Sequence, residues 1–350
     1  MHAVRRRSFA AALLVTLLFV AGCTGANSAA PETDTSENSS GAFPLSVSHA
    51  FGKTDIPQKP EKVVTIGWIA HDITAALGVT PVAVSSTSSD AGNGYSPWFE
   101  DQVENENNDE LPLILTQTSD GPDYEEILAL EPDLIFAPHS GVTEVQYERL
   151  SEIAPTVPYE QEAWLSGTWQ HVTEFAGTVL GESERAEQLI KDTEQTIADA
   201  AAEHPRLQGT TIAFGVNLFE GSDQLSFYTS PEDPRVALIH DFGLVDAPGL
   251  SELEADGFTS SISLENLNDI DAEVFVAWGK PEQSQRTLDN PVAQRWAPIA
   301  EGRYYFTEDS DMTMAMSAPN VLSIPWLIEE GFLDDVEEAL DGGAVIRSAP

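Results

Sequence analysis

Short apolar, β-branched runs alternate with amphipathic stretches along most of the chain. The run 62–68 (KVVTIGW) reads as a buried strand, 72–77 as a helix ended by Gly78, and 80–84 as a second strand. A helix over 125–130, a strand over 133–137 (DLIFA), a helix over 142–153 and an extended segment at 155–158 continue the order. Further on come a strand over 210–216 (TTIAFGV), a helix over 235–242, a helical turn at 265–267 and a strand over 273–278 (EVFVAW). A helix over 291–299, a strand over 303–306 and helices from 323 to 340 complete the pattern. Strands alternating with helices predict an α/β fold whose mostly parallel sheets are covered on both faces.

The middle of the chain breaks this alternation. Residues 169–180 and 183–203 are helical and meet at Gly181. In the second, Ala186, Leu189, Ile190, Thr193, Ile197, Ala200 and Ala201 share one face at helical spacing. Ser183 is the expected N-cap, and Pro205 lies just beyond the end. At 1.5 Å per residue this helix is about 31 Å long. The expected organisation is therefore two lobes, 43–163 and 207–350, joined by a helical connector over 164–206. A single connection of this kind is stiffer than several strand crossovers, so only modest opening of the lobes is expected.

The first 22 residues follow another pattern. Arg5, Arg6 and Arg7 precede an apolar run over 9–20, too short for a membrane span of about 20 residues, and together they read as a signal peptide. The following Val20-Ala21-Gly22-Cys23 resembles the bacterial lipobox, in which the cysteine is diacylglycerylated and the signal is cut just before it. Cys23 is the sole cysteine, which excludes an internal disulfide and a multi-thiolate metal site. Residues 23–42 then read as a flexible tether, small and polar after Cys23. An extracytoplasmic protein anchored to the cell membrane by lipid is expected.

Charge narrows the partners. The 350 residues include 58 Asp and Glu against 16 Lys and Arg, a net charge of −42. Loss of the signal removes three Arg and no acid, leaving 13 cations against 58 acids, or −45. No basic cluster exists outside the first seven residues, which excludes nucleic acid as a partner. Enzymatic signatures are missing: G-x-S-x-G, G-x-x-x-x-G-K-[ST] and H-E-x-x-H do not occur. The histidines are dispersed, so neither a resident metal site nor a cofactor is expected, and the acidic run 104–110 reads as a solvated loop.

Five stretches carry a resemblance. They are IPQKPEKVVTIGWIAHDITAALGVTPVAV (56–84), YEEILALEPDLIFAPHSGVTEVQYERLSEIAPTV (124–157), FYTSPEDPRVALIHDFGL (227–244), ISLENLNDIDAEVFVAW (262–278) and NPVAQRWAPIAEGRYYFTE (290–308). In this order, after a lipobox, they resemble the ferric-siderophore, haem and cobalamin group of substrate-binding proteins for ABC importers, above all the ferric-siderophore binders of the ferric-enterobactin type. The resemblance implies two lobes, a rigid connector, a ligand cleft between the lobes, and a monomer that delivers an iron(III)–siderophore to importer membrane subunits. Haem, cobalamin, a chelatase-like enzyme on a similar fold, and an adhesin or sensor are the competing readings.

A siderophore already wraps its iron, so a cleft for it needs aromatic walls and a few donors or cations rather than metal ligands. Loops at strand ends are the expected positions. Candidates are Trp68, Tyr95 and Trp98 in a Gly/Ser-rich loop, His139 and Ser140, Trp164, Asn217, Phe219, Tyr228 in a loop, Arg235, Trp278, and Met314 and Met316 in a further loop. Trp296 and Trp326 are expected in the core. Cleft cations are few (Arg235, with Lys280 and Arg286), which favours a neutral or cationic hydroxamate or a mixed-ligand siderophore over a tris-catecholate. By resemblance, Glu125 and Glu265 are the carboxylates, one on each lobe, that meet arginines of the importer.

Overall fold

The run KVVTIGW supplies the centre of the first sheet. In the computed structural model, which describes residues 43–85, 93–231, 233–256 and 259–348, strand Val63–Thr65 is wholly buried. Five parallel strands line up in the order Leu113–Ile114, Ala83–Val84, Val63–Thr65, Leu134–Ala137, Thr156–Pro158. Successive side chains enter opposite layers, as the two-residue strand period requires. Val63, Leu134 and Phe136 pack with Ile73, Val172 and Ala176, while Val64, Ile135 and Ala137 pack with Ile127, Leu150 and Ala154.

The second sheet has eight strands. Its parallel part runs Val245–Asp246, Thr211–Val216, Val274–Trp278, Tyr304–Thr307, Val345–Arg347. Ile212, Phe214 and Val276 meet helices Pro234–Asp241, Ser323–Glu329 and Phe332–Leu340 on one face. Ala213, Phe275 and Phe306 meet Leu267, Trp296 and Ile299 on the other. The expected α/β class with helix-covered parallel sheets is what is found.

Besides the short antiparallel pair Gln117–Thr118 and Gly121–Pro122, two larger antiparallel features depart from the expectation. Strands Gln224–Tyr228, Thr259–Ser263 and Ala255–Asp256 add an antiparallel edge to the second sheet. Near the start, Leu45–His49 pairs with Gly52–Ile56 as a hairpin. Both are rich in polar residues, Ser and Thr among them, and their alternation is too polar to stand out against the apolar parallel strands.

Helices Trp169–Leu180 and Ser183–Glu203 occupy the residues expected of them. Gly181 takes φ 69°, the left-handed cap conformation, and the Glu182 amide returns to the Gly177 carbonyl at 2.7 Å. With only Gly181 and Glu182 between the two helices, Glu182 occupies the N-cap of the second and Ser183 is already helical, so the expected Ser183 cap is not made. Val172, Ala176 and Val179 join the core of the first sheet, whereas Trp169, Ile190 and Ile197 join that of the second.

Other boundaries shift for local reasons. The helix expected over 291–299 is two short turns, Ala293–Arg295 and Ala297–Ala300, separated where Trp296 turns extended. The helix pattern over 323–340 breaks at Gly331, φ 81°. The acids of the run 104–110 are exposed as expected, but 104–106 lie in the helical turn Gln102–Glu106 rather than a loop, and Asp109 accepts a bond from Thr80 Oγ1 at 2.7 Å. Cys23, the signal segment and the tether lie outside the described residues.

Candidate ligand-binding site

Strand Val63–Thr65 leads to Gly67, and strand Leu134–Ala137 leads to His139. Gly67 has φ 107°, and a Cβ there would lie 2.2 Å from the His139 carbonyl, so only glycine lets the two strand ends come so close. The Trp68 amide donates to that carbonyl at 3.2 Å. This juxtaposition builds an aromatic cluster: Trp68 lies 4.8 Å from Trp164 and 6.2 Å from His139, and His139 meets Trp164 edge-on at 5.7 Å. Trp164 holds φ 64°, a conformation costing a non-glycine residue about 1–2 kcal/mol. Its indole lies over Gly141, where a Cβ would stand 2.8 Å from Nε1. Trp68 remains 38% exposed, an unusual state for so large an apolar side chain.

His139 is buried and its tautomer follows from its neighbours. Ser166 Oγ donates to the Pro138 carbonyl at 2.9 Å, so at 2.7 Å it accepts from His139 Nδ1–H. Nε2 is thereby a bare acceptor, buried and without a hydrogen bond among the described residues. Burial, and then repulsion from Arg235, push the imidazole pKa down to about 3, so the ring is neutral at physiological pH.

The second group centres on Arg235. Asp233 caps helix Pro234–Asp241 by accepting the Arg235 amide at 2.9 Å, and its carboxylate accepts Nε at 2.7 Å and Nη2 at 2.6 Å. The guanidinium sits 4.3 Å from the centre of the Tyr228 ring. Trp278 Nε1 donates to the Tyr228 hydroxyl at 3.0 Å. Burial alone would lower the Arg235 pKa, but Asp233 and Tyr228 outweigh it and hold it above the ordinary value. Burial raises the Tyr228 pKa against the opposing effect of Arg235. A planar fork of donors is thus held beside aromatic surface, a suitable arrangement for chelating oxygens.

A small recess, with about 10 Å³ open to a water-sized group, adjoins the first cluster and is lined by Trp68, His71, Asp72, Ser96, Trp98, Asp311, Met314 and Ala318. Asp72 Oδ2 accepts from Trp98 Nε1 at 2.8 Å and from Asn320 Nδ2 at 2.7 Å, linking elements of the two halves of the chain. Burial raises the Asp72 pKa, with His71, Trp98 and Asn320 opposing. Burial lowers that of His71, with Asp72 opposing. His71, Asp72, Ser96 and Asp311 were not expected here; a buried ionisable pair inside a helical run has no sequence signature.

The remaining candidates divide. Tyr228 ends strand Gln224–Tyr228 and is not in a loop, because its ring belongs to the core of the second sheet. Met314 and Met316 lie on helix Ser310–Ser317, capped by Asp309, rather than in a loop; Met314 lines the recess and Met316 is core. Trp98 lies on helix Pro97–Asp101, against Trp326 at 4.9 Å. Trp296 is core as expected, whereas Trp326 is only partly buried. Tyr95 is buried, its hydroxyl bonded to the Pro112 carbonyl. Ser140 Oγ bonds to the Ala137 carbonyl at 2.9 Å, and Asn217 Nδ2 to Ser284 at 3.3 Å, both buried. Phe219 is exposed. Arg286 donates to the Leu218 carbonyl at 3.0 Å, and Lys280 caps helix Pro281–Asp289. Glu125 and Glu265 are exposed in the first turns of Tyr124–Ala129 and Leu264–Asp269. Among the described residues no three His, Cys, Asp or Glu side chains converge as a metal site, and no helix is long and apolar enough to cross a membrane.

Two α/β sheets bridged by a helical pair, with aromatic and polar groups gathered at strand ends, are the build of a substrate-binding protein. Residues 63–310 match the periplasmic binding protein family, and the chain belongs to that family. PiaA of Streptococcus pneumoniae TIGR4, solved in complex with ferrichrome, is 31% identical, with a TM-score of 0.76, covering 85% of this chain and 99% of that one. The ferric-anguibactin-binding protein FatB of Vibrio anguillarum is 24% identical over 298 residues, 82% of this chain and 86% of FatB. YhfQ of Bacillus subtilis, by name an ABC transporter substrate-binding lipoprotein, is 26% identical over 194 residues. That match spans about half of each protein, 53% of this chain and 54% of YhfQ. The family is one of extracytoplasmic binding proteins, in keeping with the resemblance seen in the five sequence stretches.

Proposed function

We propose that this protein captures an iron(III)–siderophore outside the cytoplasm and delivers it to an ABC importer, with Cys23 as its lipid anchor. The observation that carries the reading is the aromatic cluster Trp68–His139–Trp164 together with the Tyr228–Arg235–Trp278 group, whose guanidinium charge is felt at His139. The indoles present flat apolar surface to the chelate, Arg235 donates to iron-bound oxygens, and His139 Nε2 accepts from a ligand N–H or O–H. No bond is made or broken; function is affinity, closure and release. A single buried arginine, already neutralised by Asp233, suits a chelate without large negative charge. The ferrichrome complex of PiaA supports a hydroxamate ligand.

Titration of intrinsic tryptophan fluorescence with ferric hydroxamates, ferric catecholates, haem and cobalamin tests this reading. Quenching with a ferric hydroxamate, reduced at least tenfold in affinity by Trp68→Ala, is the expected result. Preference for haem or cobalamin over every ferric chelate would overturn it.

A further inference from the structure

The recess beside Trp68 has a chemistry that gripping an iron chelate does not call for. Two carboxylates, Asp72 and Asp311, and two indoles, Trp68 and Trp98, line it. Among the described residues no Lys or Arg lines it, and burial lowers the His71 pKa, favouring the neutral ring. Asp72 is 2% exposed; Oδ2 takes two N–H bonds, but Oδ1 takes none among the described residues and lies 3.3 Å from His71 Nε2. Ser96 is 3% exposed, and its hydroxyl has no hydrogen-bond partner among the described residues.

A buried carboxylate with an unsatisfied oxygen is costly until a cation or donor reaches it. Indole faces attract the same kind of group, most strongly when it is desolvated. A metal ion would require three or more converging side-chain ligands, and no such set occurs among the described residues. The recess is too small for a second chelate and has room for about one water-sized group, such as an ammonium head. The net charge of −42 also draws cations towards the protein at long range.

We propose that this recess is a cation subsite that takes a protonated primary amine carried on an arm of the ferric chelate. Asp72 and Asp311 supply the counter-charge, Ser96 Oγ accepts an ammonium N–H, and Trp68 and Trp98 form the walls. Trp68 belongs to both the recess and the aromatic cluster, so the arm enters while the chelate lies on the indoles. The inference rests on the siderophore reading and narrows the ligand to a ferric hydroxamate with a pendant amine.

The test compares, by calorimetry on the full folded chain, a linear ferric trihydroxamate ending in a primary amine with the same chelate N-acetylated. The wild type is expected to favour the amine form at least tenfold. Asp311→Asn and Asp72→Asn should each bring that ratio to threefold or less; Asp311, on the first turn of its helix and only partly buried, is the substitution least disruptive to folding. Equal affinities in the wild type, or a tenfold preference that survives both substitutions, would overturn the subsite. Binding only to ferric catecholates would remove the inference and leave the siderophore reading intact. Binding to no ferric chelate would remove both.

Discussion

His139 shows how one side chain ties stability to the site. The unfolded chain takes a proton on this imidazole as the pH falls through 6.5, the ordinary value, while the native ring refuses it until about 3. Its folded-state pKa is depressed, so the associated stability is complete above 6.5 and declines as the pH falls towards 3. The decline is at most about 1.4 kcal/mol per pH unit. His71 contributes in the same direction and Asp72 in the opposite one, so the comparison that isolates His139 is wild type against His139→Asn. Asparagine keeps a donor for Ser166 and removes the titration. Denaturant unfolding between pH 7 and pH 4 should show wild type losing stability faster than the variant; parallel curves would show that the buried ring does not govern the slope. Position His139 was legible in the sequence, since it follows the end of the apolar run DLIFA. Its tautomer and its unsatisfied Nε2 were not, because Ser166 lies 27 positions away and meets it only through the fold.

At the scale of elements, the strands that carry the site are those whose apolar runs were plainest. KVVTIGW, DLIFA, TTIAFGV and EVFVAW are buried on both faces, so each reads as a continuous apolar run and each delivers a candidate residue at its end. The antiparallel edge and the hairpin at Leu45–His49 and Gly52–Ile56 were hidden by polar alternation, and helix Ser310–Ser317 by its weakly amphipathic run of Asp, Thr and Met. The recess shares that illegibility: it joins residues from three separate segments, and no single segment announces it. What the sequence leaves implicit is how near the strand ends come, and Gly67 sets that. Gly67→Ala should cost about 1–3 kcal/mol from the positive φ alone, plus displacement of the His139 carbonyl, and should weaken chelate binding at least tenfold. Gly52 is the control: its φ is 126°, but nothing lies within 4 Å of a Cβ there. Gly52→Ala should therefore show the conformational cost in thermal unfolding without the loss of binding. Equal binding by the two variants would mean that the close approach at Gly67 does not shape the site.

For the whole molecule, the issue is how a body of net charge −42 finds and orients on its transporter. Long-range attraction to a basic membrane subunit raises the encounter rate, but a uniform charge does not select an orientation; particular carboxylates at a fixed separation do. Glu125 and Glu265 meet that requirement. Each is exposed, each sits in the first turn of a short helical element, and each element packs on a different sheet through Ile127 and Leu267. The helical pair Trp169–Leu180 and Ser183–Glu203 contributes to the cores of both sheets, which limits variation in that separation. Docking by these two glutamates therefore predicts a loss that is large for the pair and specific to the transporter. A Glu125→Ala/Glu265→Ala variant should bind ferric hydroxamate within twofold of wild type, while stimulation of the importer's ATPase and uptake into cells falls by on the order of tenfold. Replacing two other exposed acids, Glu187 and Glu254, changes net charge equally and should leave uptake near wild type. An equal loss in both double variants would show that bulk charge, rather than two placed carboxylates, governs the encounter.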